Sequence, residues 1–231
     1  ARLNDAIAAS LIGNVDVAGG TLDVNLTEEA VEAKGEISIK GVPAELAWQR
    51  IFRAPDERQP PIRVTANLDA AARDKLGMKI NHLVQGPTPI TLQIARLGEG
   101  APSAMSMQAD LTDAQLVFSG LGWTKPIGSA ANVQLDIVPK ADGSTDLENL
   151  KILGDDINIQ GGIALAPDQS LREFYFSDFS VNDLTHVEIT ATVRDDQVLD
   201  IKAEGPSYDG RQFFQSLFAA GQFAGGAEPA E

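Results

Sequence analysis

Residues 132–204 read NVQLDIVPKADGSTDLENLKILGDDINIQGGIALAPDQSLREFYFSDFSVNDLTHVEITATVRDDQVLDIKAE. Val133, Leu135 and Ile137 alternate with Asn132, Gln134 and Asp136. Ile157, Ile159, Ile163 and Leu165 share one parity, as do Val187, Ile189, Ala191 and Val193, and then Leu199, Ile201 and Ala203. A two-residue period places each set on one face of a strand and the polar residues between them on the other. One dry face and one wet face is the pattern of an antiparallel sheet. Asp142-Gly143 signals a hairpin and Asp155-Asp156 a further turn. Phe174 and Phe176 share one parity, Phe179 and Val181 the other, which predicts a bulge or break near Ser177-Asp178. The pattern leaves open what covers the dry face: a second sheet, a helix, or something that is not protein.

Outward from this ladder, residues 15–39 read as a meander. Val15 and Val17, then Leu22, Val24 and Leu26, then Val31, Ala33, Ile37 and Ile39 alternate between turns at Gly19-Gly20 and Thr27-Glu28-Glu29. Residues 5–12 are consistent with a short helix or the tail of one. The period changes at Pro43–Arg53, where Ala47, Trp48, Ile51 and Phe52 fall at i, i+1, i+4 and i+5, predicting a helix pinned to a sheet by Trp48 and Phe52. A proline-rich loop spans residues 54–61. Ile62, Val64, Ala66 and Leu68 give a strand, after which Asp69 caps a short helix over Ala70–Leu76 that Gly77 stops. Strands follow at residues 90–94, 105–111 and 114–118. The Gly- and Pro-rich residues 120–128 separate the two halves, with Trp123 over an open sheet end. A last amphipathic helix is expected over 210–220, capped by Asp209. In outline this is about twelve strands and three helices, forming a single domain over residues 1–220 with a soft boundary near 119–128. Residues 221–231 form a flexible tail or linker.

Composition narrows the function. The 231 residues are 43% apolar, enough for a core, and carry a formal net charge of −15. That charge opposes wrapping a nucleic-acid backbone and docking on anionic headgroups. No cysteine is present, so disulfides and thiolate metal sites are ruled out. Residues 1–5 show no signal peptide and no window has the length of a membrane span. The missing initiator Met suggests a processed chain or an excised piece of a longer one.

The search for chemistry yields no catalytic residue, no metal site and no cofactor, and the expectation is a protein that is not an enzyme. His82 and His186 stand in no ligand spacing. The acid pairs Asp5/Asp16, Asp155/Asp156 and Asp195/Asp196 sit near turns, and neighbouring carboxylates on a strand point to opposite faces. Gly98–Gly100 and Gly120–Gly122 open no helix of a βαβ unit. A hydrolase would need two carboxylates facing each other across a cleft. What remains is area: a long dry face on which an acyl chain gains roughly 0.8 kcal/mol per buried CH₂.

Three segments carry a resemblance: Leu121–Gly128 (LGWTKPIG), Leu150–Gly161 (LKILGDDINIQG) and Tyr208–Phe214 (YDGRQFF). Together with Val42-Pro43, Trp48 and the Ala54–Pro61 loop, they resemble the AsmA-like proteins, in particular the large YhdP-like members of Gram-negative bacteria, relatives of TamB. The resemblance spans residues 10–220 and rests on turn and cap signatures. It implies a mainly β fold, a curved antiparallel sheet forming an open, β-taco-like groove with two or three short capping helices. It also implies a periplasmic segment of a protein anchored in the inner membrane, with the anchor upstream and absent from this chain. The implied partners are phospholipid or another acyl-chain lipid, moved between inner and outer membranes, and neighbouring segments of a longer chain or other envelope proteins. The groove-lining positions it implies are Val133, Leu135, Ile137, Ile157, Ile159, Val187 and Ile189. The alternative is a non-catalytic structural or protein-interaction module of the envelope whose dry face is core.

Overall fold

The computed structural model describes residues 2–4, 8–12, 15–95, 104–194, 196 and 198–210. The first half contains β1 (Arg2–Asn4), β2 (Ala8–Ile12), β3 (Val15–Leu26), β4 (Ala30–Ile39), β5 (Val42–Ile51) and β6 (Ile62–Leu68). Then come α1 (Ala70–Leu76), β7 (Val84–Gln85), β8 (Thr88–Ala95) and β9 (Ala104–Asp110). A short excursion holds β10 (Gln115–Phe118) and β11 (Trp123–Lys125). The ladder is β12 (Ala131–Pro139), β13 (Thr145–Gly154), β14 (Ile157–Leu165), β15 (Leu171–Val181), β16 (Thr185–Val193) and β17 (Leu199–Ser207).

Fourteen of these strands form one antiparallel sheet in the order β1-β3-β4-β5-β6-β8-β9-β12-β13-β14-β15-β16-β17, with β2 beside β3. A second sheet of three short strands runs β11-β10-β7. The path of the large sheet is linear and open, with β17 at one end and β1 and β2 at the other. This corrects the expected architecture. The sheet is open and uncurled rather than a curved groove, and α1 is the single α-helix among the described residues. Alternation reports which face is dry but carries no information about curvature. Burial here comes instead from a covering layer: the small sheet packs on the ladder and α1 packs on the first half.

The helix predicted over Pro43–Arg53 is β5, paired with β4 from Ile39↔Val42 to Ala30↔Ile51. Val42, Ala44 and Leu46 are buried while Pro43 and Glu45 are exposed, a two-residue period that outweighs the helical spacing of Ala47, Trp48, Ile51 and Phe52. Strand β6 reaches only Glu45–Ala47, so Pro43 lies where β5 has one partner, a position that tolerates its missing N–H. Trp48 packs against the sheet cluster, but Phe52 is exposed. Ala8–Ile12 are strand, not helix. The helix expected over 210–220 falls, apart from Gly210, outside the described residues, as does the tail at 221–231.

Helix α1 follows its sequence signals. The Asp69 carboxylate accepts the Ala72 amide at 2.7 Å, and Gly77 closes the helix with φ of 86°. The ladder follows them too. Gly143 sits in its turn with φ of 86° and donates to the Lys140 carbonyl. The register of β15 slips between Phe176 and Phe179, at the predicted bulge.

Candidate functional site

Cross-strand register sorts the ladder's apolar face into rows, since directly opposite residues share a face. One row runs Val133, Ile152, Ile159, Phe179, Val187. A second runs Leu150, Gly161, Phe176, Ile189, Ala203. A third runs Ile137, Leu147, Ile163, Phe174, Ala191, Ile201. The face continues into the first half, where Val133 opposes Ala109, Ala109 opposes Ile90 and Ile90 opposes Ala66.

The seven positions proposed from sequence lie on this face in different surroundings. Ile157, Ile159 and Val187 are buried with Leu111, Ala114 and Leu116 beneath the small sheet, and Val133 and Ile189 pack against the same cluster with Trp123 and Phe118. Phe118 and Trp123 stack at 5.5 Å. Leu135 is buried, and Ile137 borders the cluster of the first half. Trp123 pairs with Phe118 in an edge strand whose aromatic layer covers one end of the ladder.

The third row differs. Leu147, Ile163, Phe174, Ala191 and Ile201 belong to none of the three buried clusters, although Ala191 is itself only 2% exposed between its larger neighbours. Ile201 is 60% exposed, and Phe174 stacks on Phe176 at 4.8 Å. Sequence periodicity missed Leu147 because β13 is bulged between Leu147 and Leu150, which puts these two on opposite parities. Asn149 takes φ of 50° there, and its side chain donates to the Asp136 carboxylate at 2.8 Å.

Shallow depressions open along the large sheet. One of about 730 Å³ is lined by Thr65, Thr91, Gln108 and Gln134 with Ala66, Ile90, Ala109 and Val133 beside them. Another of about 350 Å³ is lined by Asp146, Glu173, Thr190 and Thr192 with Leu147, Ile163, Phe174 and Ala191 of the third row beside them. No group of three metal-ligating side chains occurs among the described residues. His186 Nδ1 lies 3.4 Å from Ser207 Oγ, and His82 is exposed. Asp155 and Asp156 lie in the turn between β13 and β14, as expected. Asp196 pairs with Arg194 at 3.0 Å in the turn before β17.

Two buried cations gave no sequence signal. Arg73 is 1% exposed and donates to the carbonyls of Leu68, Val84 and Gly86 and to the side chains of Asn81 and Thr88. Lys125 is 3% exposed and donates to the carbonyls of Ala114 and Pro126. Burial holds the Lys125 pKa below its ordinary value, against the opposing pull of Asp110, Asp113 and Asp155. Both fix loops beside the large sheet, Arg73 the segment after α1 and Lys125 the small sheet.

Comparison with protein-family models, with curated proteins and with solved structures finds no match to this chain.

Proposed function

We propose that this chain is a lipid-binding segment of a periplasmic envelope protein, holding acyl chains on the apolar face of its large sheet and supporting phospholipid movement between the two membranes. The observation that supports it is the third row: Leu147, Ile163, Phe174 and Ile201 continue the dry face past the clusters that protein covers. An acyl chain of about 15 CH₂ groups, covered on one side only, gains on the order of 6 kcal/mol there, half the value for full burial. Such binding needs no polar residue, in keeping with a chain that carries no metal-ligating cluster among its described residues.

The second reading is a structural or interaction module. It draws support from Ile157, buried in one cluster with Leu116 of the small sheet, and from Val133, which packs against that cluster. The two readings separate on one measurement. Chain purified from Gram-negative cells is analysed by native mass spectrometry for retained phospholipid, then titrated with a fluorescent fatty acid. The lipid reading expects retained or saturable binding. Absence of both, with the fold intact, leaves the structural reading.

A further inference from the structure

Strand β17 ends the large sheet, and among the described residues its outer edge is unpaired. The Arg194 amide donates to the Val198 carbonyl at 2.8 Å, so that pair points its backbone groups at each other. The register runs without a slip from Val193↔Leu199 to Glu188↔Glu204. Backbone direction alternates along an antiparallel strand. Asp200, Lys202 and Glu204 therefore turn their N–H and C=O groups inward to β16, and Leu199, Ile201 and Ala203 turn theirs outward. The side chains of those same three residues lie on the apolar face, with Leu199 38% and Ile201 60% exposed. Open edges of this kind are templates for another strand and are normally blocked. Pro206 lies beyond this stretch and does not block it.

We propose that a second copy of this chain occupies the edge, β17 pairing antiparallel with β17 of the copy about a two-fold axis at Ile201. In that register Ile201 faces Ile201 and Leu199 faces Ala203, each an outward-pointing pair able to exchange both backbone hydrogen bonds. On the wet face Asp200 faces Lys202 of the copy and Lys202 faces Asp200, so both cross-strand pairs are of opposite charge. Sliding the copies by two residues either way sets Asp200 against Asp200 or Lys202 against Lys202. The sequence thus matches itself in one register and repels itself in the neighbouring ones. The apolar faces of the two sheets become continuous through Ile201. A single edge buries less than the roughly 1,200 Å² of a stable interface, so association depends on concentration. This inference does not rest on the lipid reading: Ile201 belongs to both, but the pairing uses its backbone and the charges of Asp200 and Lys202.

The chain contains no cysteine, which makes the register directly testable. Ile201→Cys places two thiols on residues whose Cα atoms are about 5.5 Å apart, inside the range a disulfide spans. Leu199→Cys places them more than about 13 Å apart. Under mild oxidation Ile201→Cys is expected to form a covalent dimer at least ten times faster than Leu199→Cys. In sedimentation equilibrium the wild-type mass is expected to climb from 24.5 kDa toward twice that value and no further. Lys202→Asp is expected to weaken association at least tenfold, and adding Asp200→Lys to restore it. A mass that stays monomeric at hundreds of micromolar, growth beyond a dimer, equal cross-linking at both cysteines, or no rescue by the charge swap would each overturn the proposal.

Discussion

The Lys125 ammonium donates to the Ala114 carbonyl at 2.8 Å, tying β11 to the loop that leads into β10. Burial disfavours its charged form, so its pKa in the fold lies below the ordinary 10.5. Between those two values the unfolded chain holds the proton more tightly than the folded one. Stability linked to Lys125 therefore rises with pH across that window, is complete above 10.5, and is lost as pH falls through the folded value. Urea unfolding of wild type and Lys125→Met, compared from about pH 8 to pH 10.5, is expected to show the difference moving in favour of wild type as pH rises. A pH-independent difference would contradict the assignment.

Arg73 makes the largest set of buried polar contacts of any described side chain, three of them to carbonyls that would otherwise lack that donor. Arg73→Met keeps most of the volume and removes every donor. The expected cost is about 3 kcal/mol in urea unfolding, because buried acceptors are left without partners. Limited proteolysis should then cut first within residues 77–88, the segment that the guanidinium holds. A loss under about 1 kcal/mol would mean that water replaces the guanidinium.

Gly161 has φ of 159°, and a Cβ there would run into the Tyr175 carbonyl and approach Phe176 Cα to 2.7 Å. Gly161→Ala is expected to destabilise the protein by about 2 kcal/mol or more. The adjacent Gly162 would meet only the Leu147 carbonyl, at 3.1 Å, and Gly162→Ala should cost distinctly less. Thermal unfolding of the two variants side by side checks the ordering.

Phe174→Asp tests the proposed lipid face. Phe174 is half-buried and lies outside the covered clusters, so the fold should survive. Fatty-acid affinity is expected to fall about tenfold, matching the loss of one aromatic contact and a charge set against the chain. Thr190→Asp, on the wet face of the neighbouring strand, serves as the control and should bind as wild type does. Equal loss in both variants would count against an apolar-face site.

The fold was legible where a residue type has one local meaning. Asp69 and Gly77 bounded α1 because a short carboxylate and a residue free to take positive φ each fit one helix end. The parity change around Ser177 announced a bulge or a break because one sheet face cannot hold both parities of an unbroken strand, and the strand carries the bulge. Legibility failed where two periods overlapped, as in β5. There Ala47, Trp48, Ile51 and Phe52 mimic a helical stripe over a strand that pairing to β4 decides. It failed again at β13, where the Asn149 bulge breaks the alternation that would have revealed the strand. For the candidate site, the sidedness of Val133, Ile157 and Val187 was visible. Their cover was visible only in part: Trp123 was expected over an open sheet end, but the burial of Leu116 and Ala114 with Ile157 and Val187 depends on contacts between distant parts of the chain.

Along most of the large sheet each strand lies beside the one that precedes it in the chain, with the small sheet as the main interruption. Such an arrangement is rich in contacts between near neighbours in sequence, which shortens the search that usually makes β proteins slow to fold. A ribosome releasing this chain would supply each new strand to a neighbour already in place. The growing front always presents a fresh edge, so kinetic risk lies less in finding the native pairing than in meeting another nascent chain before the next hairpin arrives.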